Sequence, residues 1–176
     1  IDLGRPPHEL VAYFSTELFH SIDSQLQDFL LRIAVFPWLD AWMARRLTGV
    51  RDASAILERL ARENFFTSAH FTATGSTPIY ILHSLFRSFL RAEAQKRLSP
   101  GQYMDLLQRA AALLEAAGDV EAAINAYAAA GQTERWVQVA LDHAPVLFAT
   151  GRHKSLERWL SPLPPYRRDK WPWVVF

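Results

Sequence analysis

The chain has 176 residues, of which half are hydrophobic and 12% are aromatic, so it can form a packed core and is not a disordered segment. Its 19 Lys and Arg residues nearly balance 18 Asp and Glu residues. This balance argues against a chain that binds nucleic acid through an excess of positive charge. It has no cysteine, which excludes disulfides, thiolate metal sites and a cysteine nucleophile.

The first half of the sequence predicts four helices with the apolar spacing of amphipathic segments. The first is opened by Pro6, Pro7 and Glu9 and places Leu10, Phe14 and Leu18 on one face. The second begins near Ser24, buries Leu26, Phe29, Leu30 and Ile33, and stops before Pro37. The third covers Asp40 to Leu47, ended by Thr48 and Gly49, and Asp52 caps the fourth, with Ala53, Ile56, Leu57 and Leu60 as its apolar stripe.

A β-hairpin follows the fourth helix. Residues 65–71 are rich in aromatic and β-branched types, residues 74–78 have turn chemistry, and residues 79–81 supply the second strand. A helix comes directly after, with an apolar stripe at Leu82, Leu85, Phe86, Phe89 and Leu90. Helices followed by a hairpin are the ingredients of a winged-helix module, which we assign to residues 1–98.

The second half, residues 99–176, predicts helical hairpins similar to tetratricopeptide repeats. Ser99 and Pro100 open a helix whose stripe runs from Tyr103 to Leu114. Glycine turns recur at Gly118, Gly131 and Gly151, and the first and last are separated by nearly the 34-residue period of such repeats. This half is expected to be the start of an α-solenoid, in which each repeat buries its face against a neighbour. Because the chain starts at Ile1 and ends in an apolar run, we expect it to be cut from a longer protein, with further repeats beyond Phe176.

The motifs of several enzyme classes are missing from this sequence. The seven glycines are far apart and show no phosphate-loop or dinucleotide spacing, and HExxH and GxSxG are absent. The six histidines lack metal-ligand spacing, so no metal site is predicted. No apolar run approaches the length of a membrane span. We therefore expect neither enzymatic activity of this chain alone nor membrane contact.

The basic residues of the winged-helix module favour a solvated surface over DNA contact. The helix before the hairpin would be the reading helix, and Glu58 and Glu63 on it would face phosphates unfavourably. Arg87, Arg91, Lys96 and Arg97 lie along the helix after the hairpin. Their favoured role is again a polar face, with contact to a bound nucleotide or a neighbouring domain as the alternative.

Several short segments, in order and at the right spacing, resemble one family of regulators. They are Phe29-Leu30-Leu31-Arg32, Leu47-Thr48-Gly49, Leu57-Glu58-Arg59-Leu60, Asn64-Phe65-Phe66, Leu82 to Arg91, Ala111-Ala112-Leu113, Glu121-Ala122-Ala123-Ile124, Ala128 to Gly131 and Gly151 to Leu160. Nearly the whole chain thus resembles MalT-like regulators, which are ATP-dependent LuxR-type transcriptional activators of the STAND class of signalling NTPases.

The resemblance implies a place for this chain inside a larger cytoplasmic signalling protein. Such regulators carry a nucleotide-binding module, a winged helix, a helical sensor arm and a LuxR-type helix-turn-helix. This chain would couple the ADP or ATP state of the first module to the arm. ADP or ATP with Mg would bind the parent and not the isolated chain, and the partners would be the nucleotide-binding domain and further repeats of the same chain. The inducer, the target genes and oligomerisation of the parent on activation are left open.

His83 is the candidate nucleotide-contacting residue. Leu82-His83-Ser84-Leu85 resembles the Met-His-Asp motif of STAND winged helices, whose histidine contacts the β-phosphate of ADP in the resting state. From the residues alone, a histidine in the first helical turn that caps or packs is equally consistent. Ser84 departs from the aspartate of the motif, which puts any carboxylate-dependent contact in doubt.

Two other functions remain as alternatives. One is a helical-repeat interaction module in which the first half is a cap. The other is an autonomous DNA-binding winged helix. Aromatic residues of the second half could line a sensor groove, although their helical spacing favours the core; they are Tyr127, Trp136, Phe148 and Trp159.

Overall fold

A computed structural model describes residues 16–71 and 77–161 of the chain. These residues are mainly helical and include one two-stranded antiparallel sheet, as the sequence predicts. Contacts divide the chain into an N-terminal unit that ends at Leu106 and a C-terminal unit that begins at Leu107. This division falls inside one helix, and the domain boundary at Ser99 stays a prediction.

The N-terminal unit contains the predicted helices and the predicted hairpin. Residues 16–21 are helical and form the described part of α1. The elements that follow are α2 (Ser24–Ile33), α3 (Ala41–Thr48), α4 (Ala53–Arg62), β1 (Thr67–Phe71), β2 (Pro78–Leu82) and α5 (Ser84–Arg97). Leu10 and Phe14 of the first predicted face lie outside the described residues, as does most of the predicted hairpin turn.

Side-chain caps open two of the helices in this unit, α2 and α3. The carboxylates of Asp23 and Asp40 accept backbone N–H bonds at 2.9 and 2.7 Å from the third helical residues of α2 and α3. Gly49 ends α3 in the left-handed region at φ 79°, where glycine has no steric penalty. Asp52 occupies the cap position of α4 but its side chain makes no capping bond, so that part of the prediction is wrong.

The sheet has a short third partner that the sequence reasoning missed. β1 pairs with β2 from Thr67 opposite Leu82 to Phe71 opposite Pro78. Leu39 forms a bridge with Tyr80 on the other edge of β2. Leu39 N donates to the Tyr80 carbonyl at 3.0 Å, and Tyr80 N donates to the Leu39 carbonyl at 2.7 Å. The three helices α2 to α4, the bridging residue Leu39 and the hairpin form the arrangement of a winged helix.

Large aromatic and aliphatic side chains from different elements fill the core of this unit. Its largest side chains that are almost wholly buried are Phe19, Phe29, Phe36, Tyr80 and Phe86. Two residues of the predicted apolar stripes, Leu18 and Leu85, are instead 39% exposed. The reason is geometric, because a helix that packs along one narrow stripe leaves the flanking apolar positions at its edge.

The remaining helices are α6, within which the two units divide, and the helices of the C-terminal unit. They are α6 (Pro100–Ala116), α7 (Val120–Ala129), α8 (Thr133–Asp142), α9 (Ala144–Ala149) and α10 (His153–Leu160). Ser99 caps α6 as predicted, since its Oγ accepts from Gln102 N at 3.3 Å while Gln102 Oε1 accepts from Ser99 N at 2.9 Å. No helix in the described ranges is long and apolar enough to cross a bilayer.

The predicted glycine turns have one shared geometry. Gly118, Gly131 and Gly151 have φ angles of 81°, 69° and 69°, each after a helix end. After each glycine, the next N–H reaches back to a carbonyl five residues earlier, as in a Schellman motif. These bonds join Asp119 to Leu114 at 3.0 Å, Gln132 to Tyr127 at 2.9 Å and Arg152 to Leu147 at 2.7 Å.

Small side chains and a few polar anchors pack the C-terminal unit. Its buried alanines include Ala111, Ala123, Ala126, Ala130 and Ala140. The Trp136 indole donates to the carbonyl of Trp159 at 3.0 Å. The Tyr127 hydroxyl donates to Glu115 at 2.9 Å, and Arg135 donates to the same carboxylate at 2.5 Å. These bonds join α8 to α10 and tie α7 and α8 to the end of α6.

Candidate functional site

The backbone of His83 is held on both sides at the junction between β2 and α5. Its N–H donates to the carbonyl of Phe66 at 2.7 Å, and its own carbonyl accepts from Arg87 N at 2.9 Å. His83 occupies the cap position of α5, and its side chain makes no capping bond. The imidazole is exposed. Of the two structural roles that the sequence also allowed, capping is not made by this side chain, whereas packing against an aromatic ring is present.

The chain before β1 adopts an unusual backbone that presents Phe66 to His83. Asn64 and Phe66 have φ angles of 52° and 46°, a region that is costly for a bulky side chain. The Phe66 ring packs against Phe86 at 4.9 Å between centroids and meets the His83 ring edge-on at 6.3 Å. The imidazole thus has an aromatic wall on one side, which limits where its nitrogens can point.

His83 lies at a surface groove of about 660 Å³ between the hairpin and the start of α5. The lining residues share a neutral or cationic character; they are Asn64, Phe66, Thr67, Ser68, Ile81, Leu82, His83, Ser84 and Arg87. No carboxylate is among these described lining residues. A groove with imidazole, guanidinium and hydroxyl groups can donate hydrogen bonds to an anion.

Arg87 is the cation of α5 that lines this groove. Its side chain is half-buried, and its Nη1 donates to the carbonyl of Phe36 at 3.4 Å. Burial, and secondarily the charge of Arg91, lower the pKa of Arg87 from its usual range. A guanidinium nevertheless stays protonated in proteins, so the groove keeps a positive charge at neutral pH.

Two of the basic residues grouped with Arg87 in the sequence make contacts elsewhere. Lys96 pairs with Glu93 at 2.6 Å. Arg97 donates to Gln27 at 2.9 Å and lies over the Phe19 ring at 5.1 Å. These contacts agree with the polar-face interpretation for both residues. Sequence spacing alone did not separate Arg87 from them, because it does not show which elements lie beside each turn of a helix.

The exposed face of α4 carries mixed charge, as the sequence predicts. Glu58 and Glu63 are exposed on or directly after this helix, and Ser54 donates to Glu58 at 2.9 Å. A second groove of about 630 Å³ lies between α4 and the hairpin, and both Glu58 and Arg62 line it. This surface lacks the uniform positive charge that contact with DNA phosphates favours.

The aromatic residues proposed for a sensor groove divide into two groups. Tyr127, Trp136 and Trp159 are buried, so their assignment to the core is confirmed. Phe148 is 57% exposed on α9. A smaller groove of about 330 Å³ includes Trp159 and Arg152 among its walls. Across the described ranges, no cluster of three or more potential metal-ligating side chains occurs.

Comparison with known proteins identifies a family and several relatives of this chain. The family model described as the MalT winged helix domain matches residues 15–103. The chain is 33% identical over 162 residues to the HTH-type transcriptional regulator MalT of Vibrio cholerae serotype O1 (strain ATCC 39315 / El Tor Inaba N16961), covering 90% of this chain and 17% of that protein. Regulators with the same description from Yersinia pestis (strain Pestoides F) and Cronobacter sakazakii (strain ATCC BAA-894) are 31% and 30% identical, over 92% and 86% of this chain and 17% and 16% of theirs. The chain therefore spans about a sixth of the length of these curated relatives.

Proposed function

This chain belongs to the MalT winged helix domain family, and from that premise we propose that it is the regulatory part of a signal-responsive, ATP-dependent transcriptional activator. In this proposal, the winged helix responds to ADP or ATP held by a nucleotide-binding domain of the same protein. It passes that state to a helical sensor arm that begins in the C-terminal unit. The observation that carries the proposal is the exposed His83 side chain at a groove whose described walls contain no carboxylate.

The groove can favour one nucleotide state through a phosphate contact. An imidazole N–H of His83 would donate to the β-phosphate of ADP, with the backbone of His83 already held by Phe66 and Arg87. A contact made only in the resting state lowers the free energy of that state alone. Loss or rearrangement of this contact would then release the arm when the inducer and ATP bind.

The chemistry of the nucleotide would belong to the other domain. We propose that this chain is not itself an enzyme, that ADP or ATP and Mg are held mainly by the nucleotide-binding domain, and that the protein works in the cytoplasm. DNA contact would belong to a separate helix-turn-helix, since the exposed face of α4 offers carboxylates to a phosphate backbone. The chemical identity of the inducer and the state of assembly are not part of this proposal.

The test is His83→Ala in the full-length protein. A hydrogen bond to a charged group is worth about 1.5–3 kcal/mol, so ADP affinity should fall roughly ten- to hundredfold. Transcription without inducer should rise because the resting state is weakened. The measurements are ADP release from the purified protein and reporter transcription in cells.

His20→Ala is the matched control for this experiment. His20 is an exposed histidine of α1 in the same unit and is absent from the described walls of the groove. It should keep both ADP retention and basal transcription. Equal behaviour of the two variants would reject the nucleotide role of His83 and favour the interaction-module alternative.

The flanking gene sequence offers a simple check of both alternatives. A phosphate-loop motif upstream and a helix-turn-helix downstream would exclude an isolated interaction module and an autonomous DNA-binding winged helix. The isolated chain should bind neither ATP nor duplex DNA appreciably. Binding of either ligand with micromolar affinity would contradict the proposal that other domains of the protein bind nucleotide and DNA.

A further inference from the structure

The groove beside His83 is lined by an imidazole and a guanidinium group at the start of α5. His83 is the residue before this helix and Arg87 lies in its first turn, and Arg87 N donates to the His83 carbonyl at 2.9 Å. Both line the groove, and the described residues around them bring serine and threonine hydroxyls rather than carboxylates. Arg87 therefore supplies a positive charge to this groove.

We propose that Arg87 is a second phosphate-binding residue of this groove, and that His83 and Arg87 together recognise the diphosphate of a bound nucleoside diphosphate. This inference rests on the proposed nucleotide-sensing function and adds a residue and a ligand class to the same site. His83 supplies a single N–H donor, whereas the guanidinium supplies a charged, planar fork of donors.

The surroundings of Arg87 fit a pre-positioned ligand-binding group. One of the five guanidinium N–H donors points to the Phe36 carbonyl at 3.4 Å, and burial of the stem restricts the side chain further. A partly immobilised arginine loses less conformational entropy when it binds an anion. Lys96 and Arg97, by contrast, already contact Glu93 and Gln27.

The diphosphate is the ligand class that this geometry favours. Two donors that line the same groove can contact neighbouring phosphate oxygens, and an arginine fork binds phosphate in a bidentate manner. A nucleoside monophosphate offers a single phosphate group and would leave one of the two side chains without its contact. The pair should therefore distinguish ADP from AMP.

The experiment compares ADP and AMP binding by the full-length protein and its Arg87→Gln variant. Glutamine keeps part of the stem and a donor for the Phe36 carbonyl but removes the charge. We expect ADP affinity to fall roughly ten- to hundredfold, the loss typical of a hydrogen bond to a charged group, while AMP affinity changes by less than about threefold. Arg87→Lys should lie between, since it keeps the charge without the fork.

Arg91→Gln is the matched control, because Arg91 lies one turn further along α5 and is absent from the described groove walls. It should leave both affinities within about twofold of the parent, as a surface charge does. A loss for ADP and AMP to the same extent in Arg87→Gln would show a structural role and overturn the inference. If that variant does not fold, an unchanged ratio of the two affinities in Arg87→Lys overturns it instead.

The outcomes separate this inference from the proposed function. If His83→Ala weakens ADP binding while Arg87→Gln behaves like Arg91→Gln, the Arg87 contact is wrong and nucleotide sensing by His83 stands. If neither His83→Ala nor Arg87→Gln changes ADP binding, both proposals are wrong.

Discussion

The two units are built on different principles, although both are largely helical. The N-terminal unit packs large aromatic side chains from several elements around Phe86, and its corner at Asn64 and Phe66 departs from ordinary backbone geometry. The C-terminal unit packs alanine-rich helices and repeats one glycine turn three times. The packing of the N-terminal unit gives an irregular surface, whereas the C-terminal unit repeats one simple turn geometry.

This difference explains why the candidate site lies in the N-terminal unit. The groove depends on a positive-φ phenylalanine, on the N–H of His83 bonded to it, and on an arginine held near the end of another helix. Each of these features occurs where elements of different type meet. A regular array of helical turns offers fewer such meetings.

Removing the central ring of the N-terminal unit should have the largest effect. Phe86 is fully buried and touches the rings of Phe65, Phe66 and Phe89, so Phe86→Ala should destabilise this unit by about 3–5 kcal/mol. Hydrogen exchange followed by mass spectrometry should show faster exchange in peptides from α2 to α5. Leu85→Ala, at a 39% exposed neighbouring position, should cost less than about 1 kcal/mol. Equal acceleration in both units would show that they unfold as one block and would break the comparison.

A glycine turn should be the weak point of the C-terminal unit. Gly118 has φ 81° and open space around an added Cβ, so Gly118→Ala should cost about 1–2 kcal/mol from backbone strain alone. Gly131→Ala and Gly151→Ala should cost similar amounts, which urea unfolding can measure. Gly101, which lies in α6 without a positive φ, is the control, and Gly101→Ala should be neutral or stabilise by up to about 1 kcal/mol. Unequal costs at the three turns would contradict their structural equivalence.

Alkaline pH should lower the free energy of unfolding of both units through buried tyrosines. This effect should be smaller than those of the substitutions above. Burial and then the charge of Glu58 raise the pKa of Tyr80, and burial and then the hydrogen bond to Glu115 raise the pKa of Tyr127. An unfolded tyrosine loses its proton near pH 10, before the folded one does. The stability that these groups contribute is thus present below about pH 10 and is lost as the pH rises through the folded pKa.

Urea unfolding at about pH 8 and pH 10.5, on either side of the ordinary tyrosine pKa, measures this loss. Tyr80→Phe and Tyr127→Phe should each reduce the decrease in unfolding free energy between the two pH values. The first should act on the transition of the N-terminal unit and the second on that of the C-terminal unit. A decrease as large as in the unsubstituted chain would show that the tyrosine in question does not cause it.

Local chemistry was readable from the sequence wherever one short segment decided the outcome. Gly49 ends α3 as predicted, because a left-handed glycine acts within a few residues, and the helix predicted from Asp40 begins at Ala41 with Asp40 as its cap. Asp52 has the same residue type as Asp40 but a different backbone conformation, and it makes no capping bond. The exposure of Leu85 at the edge of the packed face was equally unpredictable from the sequence. Hydrophobic periodicity shows which face of a helix packs, but it does not show how much of that face the neighbouring elements cover.

The sequence by itself determined the order of the helices, the hairpin and the glycine turns, because these depend on spacing and intrinsic conformational preference. His83 became a candidate through the resemblance of residues 82–85 to a family motif. Only the tertiary structure decided that Leu39 bridges to Tyr80, that Phe66 is held in the left-handed region, and that Arg87 rather than Lys96 lines the groove of His83. The physical reason is that these features are contacts between segments distant in the chain. Their geometry is set by the packing of whole elements, and no local pattern encodes it.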